Sequence, residues 1–107
     1  MAKVRGIIAA LCLSAQAASA QAGGAPDIEA GAALADRLCA RCHAIGVAGE
    51  SPFATAPPFR TFARKWPLEN LEEALAEGIV VGHTAMPAFE FSPTEISDLI
   101  AYLGTLQ

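Results

Sequence analysis

Cys39-Ala40-Arg41-Cys42-His43 is the stretch on which the reading of this chain turns. Two cysteines with two residues between them, followed at once by histidine, have few uses. A disulfide across that gap would close a loop too short to restrain much of the unfolded chain. A thiol oxidoreductase places C-x-x-C after a β-strand, and no strand pattern precedes Cys39. Zinc would have to draw on His43 and His83, and adjacent Cys42 and His43 do not readily share one tetrahedral ion. The remaining use is covalent haem attachment, which C-x-x-C-H signals directly. On helical backbone Cys39 and Cys42 stand i, i+3 and Cys39 and His43 i, i+4, so the three side chains share a face. Two thiols can then add to the two vinyl groups on one porphyrin edge while His43 reaches the iron. Thiol chemistry stays as the rival.

If His43 takes one side of the iron, a second ligand is sought further along. The sequence has two methionines, Met1 and Met86. Met86 lies in Gly82-His83-Thr84-Ala85-Met86-Pro87-Ala88-Phe89, a segment with helix breakers at both ends. Pro87 pushes Met86 toward extended backbone, which suits a loop that presents a side chain inward. The plain alternative is a gap-filling core methionine. His83, three residues earlier, competes for the same place. Met86 is the expected ligand, and a thioether opposite histidine would favour ferrous iron and raise the reduction potential relative to two histidines.

The start of the chain has a different character. Lys3 and Arg5 precede an uncharged run over residues 6–20, GIIAALCLSAQAASA, ending on small residues. This pattern predicts a cleaved secretory signal peptide over 1–20, with cleavage after Ala22 as the close alternative. Its strongly apolar part is too short for a membrane span. Cys12 would leave with it. Five basic and eleven acidic side chains would then remain, from Asp27 to Asp98. So acidic a chain is a poor partner for nucleic acid, whose phosphates call for clustered Lys and Arg. So small a chain also needs a staple for its core.

The rest reads as helices and loops around the motif. Residues 21–26 form a flexible lead. Ile28, Ala32 or Leu34, Ala35, Leu38 and Cys42 recur at helical spacing and predict a helix over 27–45, with Asp27 and Glu29 at its positive end. Gly46 and Gly49 end it, and a proline-rich loop over 46–58 follows. A short helix is expected over 59–66, and a clearer one opens at Pro67 and runs to Glu77, closed by Gly78. Ser92-Pro93-Thr94-Glu95 has the form of a capping box with proline at the first helical position, followed by Ile96, Leu99, Ile100 and Leu103. No segment reads as a strand. The expected fold is all-α, about four helices wrapped around one haem, in a single domain over 27–107.

These residues resemble a class I mono-haem cytochrome c over roughly 27–107, with the haem motif early, the methionine loop late and a terminal helix after it. The resemblance matches Gly31 to the small residue where first and last helices cross, and Leu99 and Tyr102 to their partner positions. It matches Ala56-Pro57-Pro58-Phe59 to a loop in which the Pro57 carbonyl accepts the Nδ1–H bond of the axial histidine and Phe59 packs on the haem. Trp66 is either a haem-propionate donor or plain packing. Two departures stand out: Ala35 occupies a position that is usually aromatic, and the lysine ring of mitochondrial relatives is absent.

The expected function is that of an exported, periplasmic, monomeric single-electron carrier with one haem c. It would be held by Cys39 and Cys42 and ligated by His43 and Met86. Phe59, Ile79, Val80, Phe89 and Leu99 would exclude water from it. Its partners would be redox protein donors and acceptors, with no stable membrane insertion after cleavage and no enzyme activity of its own. The alternatives are a cytochrome subunit of a periplasmic dehydrogenase and a gas-binding haem with a labile sixth ligand. The acidic run Glu69, Glu72, Glu73, Glu77 reads as a solvated helix face.

Overall fold

The computed structural model describes residues 24–78 and 85–107. Asp27 caps the first helix: its carboxylate accepts the Ala30 N–H at 3.0 Å, satisfying a donor the helix itself leaves free. This helix, α1, spans Ile28–Leu38. It is shorter than the periodicity predicts. Both the Cys39 and Ala40 N–H groups donate to the Ala35 carbonyl (2.8 and 3.0 Å), which widens the last turn and ends the helix. The haem motif therefore lies on a turn after α1, not inside a helix running to Ile45. One helix-like closure persists there, since the His43 N–H donates to the Cys39 carbonyl at 2.9 Å.

The proline-rich segment crosses to a 3-10 turn at Phe59–Thr61, which passes directly into the short α2, Phe62–Lys65. Together they fill the span expected to be one short helix. Helix α3 runs Leu68–Glu77 after Pro67, and Gly78 ends it at φ 84°, backbone that a side chain with a Cβ resists. Helix α4, Pro93–Gly104, begins as its sequence predicts. Ser92 accepts from the Glu95 N–H at 3.2 Å, and the Glu95 carboxylate accepts from the Ser92 N–H at 2.8 Å. Among the described residues there is no strand.

α1 and α4 form the most extensive helix pair, and α3 leans on α4. Gly31 permits the crossing: a Cβ there would lie 2.0 Å from the Asp98 carbonyl oxygen and 3.0 Å from the Tyr102 Cβ. The backbone of α4 can come this close only to a residue without a side chain. Tyr102 is thus a contact of the crossing, as the resemblance implies. The nearest backbone is that of Asp98, while its neighbour Leu99 turns into the core at 3% exposure. Ala35, at the position that is usually aromatic, is wholly enclosed and forms part of the core. Asp98, the buried acid of the described residues, accepts the Asp27 N–H at 2.7 Å. The carboxylate sits at the positive end of α1 and ties the start of that helix to the middle of α4.

The core joins Leu34, Ala35, Phe59, Leu75, Ile96, Leu99, Leu103 and Leu106. Burying side chains of this size contributes about 1.5–3 kcal/mol each before entropy is subtracted. No described helix is long and apolar enough to cross a membrane.

Candidate haem site

A cavity of about 500 Å³ opens between the motif turn, the proline loop, α3, the 85–91 segment and α4. Cys39, Cys42, His43, Pro57, Phe59 and Met86 all line it. Its wall is otherwise mostly apolar, with Phe62, Leu71, Leu75, Phe89, Leu99 and Leu103 among the contributors. The size is that of an organic-cofactor pocket. Two thiols, one imidazole and one thioether in an apolar cavity form the donor set that a covalently held porphyrin iron needs.

Both cysteines are free thiols, half-buried, and not joined to each other. Burial pushes the Cys39 thiol up from 9.0 to about 11. A thiol–disulfide catalyst needs its attacking cysteine lowered toward neutral pH. Cys39 is displaced the other way, which counts against the thiol rival.

His43 is held by its far nitrogen. Nδ1 lies 2.7 Å from the Pro57 carbonyl oxygen. A carbonyl can only accept, so Nδ1 carries the proton and Nε2 of the neutral ring keeps its lone pair. The imidazole also packs against Phe59 (centroids 5.2 Å apart) and edge-on to Phe62 (6.0 Å, 82°). Phe59 and Phe62 are themselves 5.0 Å apart, so the ring is clasped between a hydrogen bond and two aromatic side chains.

Met86 is half-buried in the bend before Pro87 and reaches the same cavity as His43. The competing ligand His83 falls outside the described residues, as do Ile79 and Val80. Trp66, at 48% exposure, lies at the rim and meets Phe62 edge-on at 6.0 Å. Phe62 and Phe53 line the cavity without having been singled out from the sequence. Phe62 stands three residues after Phe59, the one signal that could have flagged it; Phe53, in irregular backbone, leaves no periodic trace.

Residues 26–103 match the family model described as "Cytochrome C oxidase, cbb3-type, subunit III". The chain belongs to the cytochrome c family. It is 36% identical over 104 residues to cytochrome c-552 of Bradyrhizobium diazoefficiens, a match covering 97% of this chain and 95% of that protein. The cofactor of this small mono-haem cytochrome is haem c, and the spacing of Cys39 and Cys42 is that of its attachment motif. As a haem c electron carrier, the cytochrome exchanges electrons with redox partners.

Proposed function

We propose that this cytochrome is an exported, monomeric carrier of single electrons whose iron is ligated by His43 and Met86, and that it performs no substrate chemistry of its own. The observation that carries the reading is the convergence of Cys39, Cys42, His43 and Met86 on one apolar cavity, with His43 Nδ1 engaged by Pro57. Haem c supplies an iron that takes up or releases one electron between its ferric and ferrous states.

The protein's part is to hold and insulate. The Cys39 and Cys42 thiols would hold the group through thioether bonds, in a chain too small to cage it unaided. Donation from Nδ1–H to the Pro57 carbonyl fixes the imidazole plane and makes Nε2 a better electron donor. Met86 would give a soft thioether beside the imidazole of His43, a donor pair suited to both oxidation states of the iron. Phe59, Leu75, Leu99 and Leu103, each at 8% exposure or less, keep water from the centre and help set its potential. Export is supported by Lys3 and Arg5 ahead of the uncharged run over 6–20.

Production in a bacterial host with haem-attachment machinery tests the reading. The periplasmic fraction should contain a chain beginning at residue 21 or 23 with one haem added to its mass. Potentiometric titration should follow a one-electron Nernst curve. A cytoplasmic, uncleaved product or a two-electron curve would sink it.

A further inference from the structure

His43 is followed by an exposed loop: Val47, Ala48, Gly49 and Glu50 are exposed, and Gly49 sits at φ 95°, its carbonyl accepting from the Arg60 guanidinium at 2.7 Å. Yet the residues around His43 are strapped on all sides. The Phe53 N–H donates to the Cys42 carbonyl at 3.1 Å, and the Phe59 N–H to the Ala44 carbonyl at 2.9 Å. Those two bonds are backbone to backbone. Two more come from side chains. The Ala44 N–H donates to Ser51 Oγ at 3.0 Å, and the Tyr102 hydroxyl donates to the Ile45 carbonyl at 2.6 Å.

We propose that Tyr102 and Ser51 are positioning residues for His43: by pinning Ala44 and Ile45 they hold the imidazole on the Pro57 carbonyl. The inference rests on His43 being the iron ligand. Tyr102 is the more consequential of the two. It reaches from α4 across 57 residues of sequence to the segment next to the ligand. Its Cβ also stands at the Gly31 crossing, so the helix pair that builds the fold and the orientation of the ligand meet in one side chain. Ser51 acts from within the loop and closes it on Ala44 seven residues back. Without these two bonds the segment could pivot about its backbone bonds at Cys42 and Ala44, and the His43–Pro57 bond would open more often.

Deuterium exchange at His43 Nδ1–H tests this in the haem-loaded ferric protein, where an axial imidazole proton is identified by its paramagnetically shifted resonance. Tyr102→Phe and Ser51→Ala should each speed exchange by about 2–10-fold, the range expected for losing one hydrogen bond. Ser92→Ala is the control: it removes the cap at the start of α4, outside the core that holds Phe59 and Ile45, and should leave the rate unchanged. Unchanged exchange in both hydroxyl variants, or an equal acceleration in Ser92→Ala, would overturn the positioning role. Absence of any paramagnetic shift on His43 in the unmodified protein would overturn the ligand assignment on which it stands.

Discussion

His43 Nδ1 and the Pro57 carbonyl oxygen lie 2.7 Å apart across 14 residues of sequence. The contact fixes which imidazole nitrogen is free, and the free one, Nε2, is the one able to bind iron. It fixes the ring of a histidine next to a cysteine pair in the orientation that the proposed ligand role requires.

The thioether of Met86 should then be replaceable without loss of the haem. In Met86→Ala both thioether bonds and His43 remain, so the haem stays attached, the sixth position opens to small ligands and the potential falls. A redox titration beside a carbon monoxide difference spectrum checks this. An unchanged potential and spectrum would move the ligand role elsewhere, with His83 the next residue to replace.

Cys39→Ser should leave attachment through Cys42 alone. One vinyl group stays conjugated with the porphyrin, so the visible band of the reduced protein should move to longer wavelength. A spectrum identical to that of the unmodified protein would contradict the two-thioether reading.

Gly31→Ala tests the helix crossing rather than the site. The added Cβ would have to displace the Asp98 backbone from 2.0 Å, and backbone does not yield as a side-chain tip does. A loss of about 3 kcal/mol is expected in denaturant unfolding of the haem-loaded protein. Under 0.5 kcal/mol would mean that α1 and α4 slide apart at little cost.

Ser92→Ala removes one half of the reciprocal cap on α4. About 1 kcal/mol should be lost, with the visible spectrum unaltered. A change in spectrum would show that the start of α4 also shapes the haem pocket.

The start of α4 was legible in Ser92-Pro93-Thr94-Glu95 because a capping box is a local device whose partners lie three residues apart. The attachment motif was legible for the same reason. The end of α1 was not. Cys42 and Ile45 continue the apolar periodicity past Leu38, and periodicity does not register the two N–H groups that share the Ala35 carbonyl. Phe53 leaves no signal because its backbone is irregular, and Phe62, three residues after Phe59, reaches His43 only once the chain is folded. The tie from Asp98 to the Asp27 N–H spans 71 residues, and a carboxylate in a terminal helix looks from sequence like any solvated acid.

The most direct test of His43/Met86 ligation is the absorption spectrum of the haem-loaded protein, oxidised and reduced, with and without carbon monoxide. The account predicts a low-spin spectrum indifferent to carbon monoxide, with the weak far-red band of a thioether bound to ferric iron. A spectrum that shifts on adding carbon monoxide, or lacks that band, would contradict it.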